Sequence, residues 1–221
     1  MRKYTAKFQA TEQGSRILWG KLSLIILHVV GFVGMYLEFT RPLFQWLTPF
    51  HLLLCSAILL YFHRDWTIRF WLFMLLAFGG GMISEIIGVQ TGLIFGSYSY
   101  GDLLGPKIFG VPWILGLNWF LLVYITGGII HTVIWNDYLA AVAGALLMVL
   151  LDLNMEPVAL ELGFWQWEDQ QIPLSNYLGW FAIAFLIHLF YRKLNFRKYN
   201  VLNPLMFLNL IFFFGLLSFI L

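Results

Sequence analysis

Residues 84–120 read SEIIGVQTGLIFGSYSYGDLLGPKIFGVPWILGLNWF. They interrupt an apolar chain with a glutamate, a series of glycines and two tyrosines set one residue apart. Long hydrophobic runs lie on both sides, so the segment is either a connector at the surface of a membrane bundle or a lid that enters it. A carboxylate at the end of a hydrophobic run is costly in lipid, which marks Glu85 as a functional candidate. The glycines permit tight turns and close approach of the backbone to a ligand. The plainer alternative is a structural connector with Glu85 at headgroup level.

Composition decides the surroundings of this segment. Of 221 residues, 61% are hydrophobic and only 11% charged, too few polar groups to cover a soluble globule. The expectation is a single all-α integral membrane domain over 1–221. The net charge of +2 is small and clustered at loops and chain ends. It argues for membrane topology and against a nucleic-acid partner. One cysteine, Cys55, excludes an intrachain disulfide and a multi-cysteine metal site. The opening MRKYTAKFQATEQGSR is polar and basic, without the apolar stretch and small-residue cleavage site of a signal peptide.

At about 20 apolar residues per crossing, seven transmembrane helices are expected. They fall at 22–37, 43–62, 70–87, 112–135, 138–158, 178–191 and 204–221, after a tail of residues 1–21. The first is short unless it starts near Ile17, and the sixth is short unless it starts near Pro173. All but two of the 13 lysines and arginines then lie on one side; Arg41 and Lys107 lie on the other. The positive-inside rule puts the N-terminus in the cytoplasm and the protein in the cytoplasmic (inner) membrane as a multi-pass protein.

This arrangement puts Glu85, Asn118, Trp119, Asp152 and Glu156 in one band of depth near the outer face. Asp152 and Glu156 are spaced i, i+4 and project from one helix face, about 6 Å apart. Two carboxyls so close in a medium of low dielectric favour a state in which one carries a proton. The outer connections, 88–111 and 159–172, carry Tyr98, Tyr100, Phe109, Phe164, Trp165 and Trp167. At least one is expected to fold back over the bundle as a lid; an aromatic belt at the headgroups is the competing reading.

The two connections also match each other. Glu85 is followed seven residues later by Gly92 and then by Tyr98-Ser-Tyr100. Glu156 is followed seven later by Gly163 and then by Trp165-Gln-Trp167. Val111-Pro112 precedes Trp119-Phe120 as Ile172-Pro173 precedes Trp180-Phe181. The spacing describes a degenerate helix–lid–helix repeat, 70–135 and 138–191, whose copies run the same way and relate by an axis along the membrane normal.

Other sites are less persuasive. His28, His51, His131 and His188 fall on different spans and depths, with no neighbouring ligand at metal-binding spacing, so they are expected to be core or interface residues and no metal is expected. The glycines form neither a phosphate loop nor a dinucleotide fingerprint, so no cofactor is implied. Gly88, Gly92 and Gly96 make small-xxx-small steps, equally suited to a close helix contact. The last span, PLMFLNLIFFFGLLSFIL, has no lysine for a retinal Schiff base.

Acids beside aromatic rings, in a pocket open to lipid, suit an apolar substrate that is protonated to a carbocation. A carboxylic acid donates to a double bond, ring faces stabilise the cation by about 1–2 kcal/mol each, and water or an internal double bond ends the reaction. Proton or ion transport by the same acids is the other reading.

The run EIIGVQTGLIFGSYSYGDLLGPKIFGVPWILGLNW, with DLNMEPVALELGFWQW and IPLSNYLGWF downstream, resembles the membrane carotenoid-biosynthesis family that includes the carotenoid 1,2-hydratases of the γ-carotene/lycopene type and bisanhydrobacterioruberin hydratase. The similarity covers roughly residues 70–190. It implies cofactor-independent addition of water to the 1,2 double bond of an acyclic carotenoid end, giving a tertiary alcohol, on a lycopene- or γ-carotene-type substrate drawn from the bilayer. The family resemblance also extends, more weakly, to the membrane lycopene cyclases. A carrier of carotenoid or lipid without chemistry is the alternative of a different class. Joined to the residues, the expectation is that Asp152 or Glu156 protonates C2 and that Glu85 positions or deprotonates water. Tyr98, Tyr100, Trp119, Trp165 and Trp167 would line the end-group pocket, with Asn118 holding the water.

Overall fold

A computed structural model describes residues 2–221, with side chains from residue 13 onward. Seven helices dominate: α1 (Arg2–Tyr36), α2 (Arg41–Tyr61), α3 (Ile68–Thr91), α4 (Ile114–His131), α5 (Asp137–Glu161), α6 (Leu174–Lys193) and α7 (Asn203–Ile220). Each contains a stretch long and apolar enough to cross a membrane, so the chain is an all-α, multi-pass membrane protein.

Five of the expected boundaries shift by more than two residues, for local reasons. The first candidate span begins at Gln13, inside a helix that starts at Arg2, so residues 2–21 are not an extended tail. Ala, Lys, Gln, Glu and Arg in that region are good helix formers and no proline interrupts them. The side chains of Arg2, Lys3 and Lys7, which entered the charge argument, lie outside the described residues. Helix α3 continues to Thr91 and stops at Gly92, whose φ of 68° caps it in the left-handed conformation. Val111-Pro112 precedes α4 instead of opening it, and α4 ends at His131, before the expected Trp135. Pro157 lies within α5, which runs on to Glu161. Helix α6 starts directly after Pro173.

Helix α4 occupies the centre. It is apolar on all sides and buried along most of its length, from Ile114 to Ile130. Helices α3, α5, α6 and α7 pack around it, with α1 against α2 and α7. By contrast α2 buries only Cys55, Ser56 and Leu59. The basic connections meet at one end of the bundle: the Arg69 guanidinium donates to the Asn195 carbonyl, and the Arg197 amide to Asp65. His63, overlooked among the histidines, is buried there, bonded to the Tyr124 hydroxyl at 2.8 Å and stacked on Phe70.

The other end carries the lid. Strand β1 (Tyr98–Tyr100) pairs antiparallel with β4 (Trp165–Trp167), Tyr98 opposite Trp167 and Tyr100 opposite Trp165. The register centres on Ser99 and Gln166, so it is unchanged when the two segments are exchanged. A short hairpin, β2 (Lys107–Ile108) and β3 (Val111–Pro112), completes the longer connection. Its turn residues, Phe109 and Gly110, both have positive φ, 49° and 86°, as a tight two-residue hairpin turn requires. Gly163 follows α5 with φ 69°, the counterpart of Gly92 after α3. Both connections therefore fold over the bundle. Trp167 is buried, which overturns a headgroup belt for that residue.

The lid is fastened to α6 by close backbone contact. Ser175 donates its hydroxyl to the Phe95 carbonyl, and a methyl group at Gly179 would lie 2.6 Å from the Ile94 carbonyl oxygen. Gly179→Ala is predicted to destabilise the protein by about 1–3 kcal/mol, the usual cost of overpacking. Gly79→Ala, which meets no atom within 4 Å, should be neutral or mildly stabilising in the same detergent melting experiment.

Candidate active site

Four helices, α3 to α6, and the two lid strands converge on three carboxyl groups. Glu85 comes from the C-terminal part of α3, and Asp152 and Glu156 from one face of α5, and all three are buried. Each glutamate lies beneath the strand that follows it in sequence. Glu85 Oε2 accepts from the Tyr98 and Tyr100 hydroxyls at 2.5 and 2.7 Å. Glu156 Oε2 accepts from the Trp165 and Trp167 indoles, both at 3.0 Å. Alternate residues of a strand point the same way, and this is why the Tyr-x-Tyr and Trp-x-Trp spacings each deliver two donors to one oxygen.

The remaining oxygens are treated unequally. Trp119 of α4 donates to Glu85 Oε1 at 2.9 Å. Asn176 of α6 places one amide nitrogen between the α5 acids, 2.7 Å from Asp152 Oδ2 and 3.2 Å from Glu156 Oε1. Asp152 Oδ1 is buried and has no partner among the described residues. Burying a carboxylate oxygen without a donor is expensive, so this atom is the natural place for a proton or a ligand. Burial, reinforced by the nearby Glu85, raises the Tyr98 and Tyr100 phenols well above their ordinary range, so both stay neutral and remain donors.

Aromatic faces complete the site. Trp119 and Trp180 stack at 4.4 Å between ring centroids, and Tyr98 lies 5.0 Å from Trp167. A cavity of about 440 Å³ begins at these groups and runs between α1, α2 and α7. Its polar lining includes Glu85, Asp152, Glu156, Asn176 and Asn118; no lysine or arginine lines it among the described residues. Val30, Phe50 and Leu54 line the cavity and are also exposed, so it opens sideways between α1 and α2 toward the lipid.

The structure thus brings together the expected residues Glu85, Tyr98, Tyr100, Asn118, Asp152, Glu156, Trp165 and Trp167 along one cavity, with Trp119 bonded to Glu85 behind it. Sequence reasoning missed Asn176 and Trp180. Asn176 stood outside a sixth span begun at Leu178; with the helix starting at Leu174 it lies in the first turn, facing α5. Trp180 was visible as the repeat counterpart of Trp119. The histidines need one correction. His28 and His51, on separate helices, meet with ring centroids 4.9 Å apart, and His51 Nε2 lies 3.5 Å from Cys55 Sγ one turn along α2. His188 is a core histidine: its Nδ1 bonds the Ala184 carbonyl and its Nε2 the Thr126 hydroxyl.

A curated relative, bisanhydrobacterioruberin hydratase of Haloarcula japonica, is 34% identical over 105 residues, covering 43% of this chain. The match spans 36% of the relative, about a third of that protein's length. No solved structure matches the chain. The carotenoid biosynthesis protein family matches residues 47–221, which include every carboxyl and lid residue of the site, and the chain belongs to that family.

Proposed function

We propose that the protein is a carotenoid hydratase that adds water to the 1,2 double bond of an acyclic carotenoid end. The observation that carries the reading is the unpartnered Oδ1 of Asp152 beside two glutamates whose Oε2 atoms each accept two hydrogen bonds. A hydratase working through a cation needs one acid able to release a proton and fixed negative charge to face the cation. Asp152 suits the first role and Glu85 and Glu156 the second. This narrows the choice between Asp152 and Glu156 to Asp152.

In the proposed reaction the end group of a lycopene- or γ-carotene-type substrate enters between α1 and α2. A volume of about 440 Å³ is typical of small-molecule sites and suits an end group with part of the polyene, the rest staying in the bilayer. The Asp152 Oδ1 proton passes to C2, and the π electrons form the new C–H bond, leaving a tertiary cation at C1. Trp165, Trp167 and Tyr100 present ring faces or edges to the cavity, and the glutamates stabilise the positive charge through space. The Asn118 side chain, which makes no hydrogen bond among the described residues, holds the water. The water oxygen bonds to C1, and its proton goes to Glu85, whose Oε1 has one acceptor position left beside Trp119. Asp152 loses one proton and Glu85 gains one, so the product differs from the substrate by one water, and return of the proton from Glu85 to Asp152 through water resets the site.

The family relative named as a hydratase favours water over an internal double bond as the terminating nucleophile. With the N-terminus in the cytoplasm, the orientation that the positive-inside rule supports, the site would lie near the outer face of the cytoplasmic membrane.

Expression in a bacterium that accumulates lycopene or γ-carotene is expected to yield a pigment heavier by one water. An isomer of unchanged mass and shorter chromophore would identify a cyclase, and co-purified unmodified pigment a carrier. Asp152→Asn is predicted to lower hydration by about 10²–10⁴-fold, the usual contribution of a general acid. Glu161→Gln, an exposed acid at the end of the same helix, should leave it unchanged. Full activity in Asp152→Asn would remove the acid assignment.

A further inference from the structure

The apolar cavity has a second polar corner on its α1–α2 wall. His28 and His51 line it, and Cys55 lies one helical turn beyond His51. One ligand atom from each of the three residues lies within 4.8 Å of the other two. His28 Nδ1 donates to the Leu24 carbonyl at 2.8 Å, which fixes the tautomer and leaves Nε2 as a lone pair. That Nε2 is buried and has no partner among the described residues, and His28 is only 6% exposed. A backbone carbonyl that orients the far nitrogen of an imidazole is the usual support of a metal-binding histidine. The separation of His51 Nε2 from Cys55 Sγ, 3.5 Å, is also informative. Metal–nitrogen and metal–sulfur bonds of about 2.0 and 2.3 Å at the trigonal angle of a three-ligand site place the two donors about 3.7 Å apart, close to this separation.

We propose that His28, His51 and Cys55 form a binding site for a soft monovalent d¹⁰ cation, copper(I), with one ligand from α1 and two from α2. Two imidazoles and a thiolate are ligands that soft metals select. Charge chooses between the candidates. As the copper–sulfur bond forms, the Cys55 thiol releases its proton to solvent, and one thiolate with one Cu⁺ gives a neutral centre. Zinc(II) on the same ligands leaves one uncompensated positive charge inside the membrane, where net charge is costly. The copper keeps its oxidation state throughout. The ligands are none of the residues given a role in the proposed hydration, although His28 and His51 line the same cavity, and the test reads binding, not turnover.

The experiment is an anaerobic titration of the detergent-purified full chain with copper(I) against a chromophoric copper(I) chelator, with X-ray absorption on the loaded protein. One equivalent should be retained, with one sulfur and two nitrogen neighbours. Cys55→Ser and His28→Gln should each weaken binding at least 100-fold, and copper(I) should raise the unfolding temperature of the parent protein but of neither variant. His28→Gln keeps a polar side chain of similar size, so a folded variant is available if Cys55→Ser does not fold. Equal retention by the parent and His28→Gln, or a copper shell without sulfur, would overturn the site. Tighter binding of zinc(II) than of copper(I) would overturn the charge argument.

Discussion

Three carboxyl groups are buried in an apolar membrane bundle, and every oxygen left without a donor costs free energy there. The lid exists to answer that cost. No helix beside Glu85 or Glu156 offers enough donors, so two connections fold inward and each delivers a pair of aromatic donors to one carboxylate oxygen. A hydrogen bond to a charged group is worth about 1.5–3 kcal/mol, so four such bonds are a large share of what a domain of this size has in net stability. Pairing β1 with β4 follows, since strands that fold into an apolar region must satisfy their own backbone groups.

The same bonds create an inequality among the acids. Glu85 and Glu156 are surrounded by donors, whereas Asp152 has a single bond, on Oδ2. An acid, a fixed negative field and stacked rings in one water-poor cavity are what a carbocation reaction needs, and the lateral opening suits a substrate that never leaves the bilayer. Groups that support the site also hold the fold: Trp119 bonds Glu85 and stacks on Trp180, linking α3, α4 and α6. Substitutions at Trp119 therefore affect stability and chemistry together.

Much of this was legible in the chain. The seven spans follow from hydropathy, and Glu85, Asp152 and Glu156 stood out because charge in an apolar run has few structural uses. The Tyr-x-Tyr and Trp-x-Trp motifs marked the lid because alternate spacing orients both rings one way. What was not legible depends on contacts distant in sequence. Strand pairing between residues 65–69 positions apart leaves no local trace, and Asn176 gains its meaning only when α6 packs on α5. His28 and His51 were read as scattered because they lie on different helices, yet antiparallel neighbours bring mid-helix positions together. The i, i+4 spacing of His51 and Cys55 was the available signal for that corner.

The central claim is that a carboxylic acid in this cavity transfers a solvent-derived proton to carbon. Conversion of an acyclic carotenoid by the purified protein in D₂O, with product mass and carbon-bound deuterium determined after exchange back into H₂O, tests it most directly. The account predicts a pigment heavier by one water with one non-exchangeable deuterium on the carbon next to the carbinol. A hydroxylated product without carbon-bound deuterium, or unchanged pigment, would contradict it.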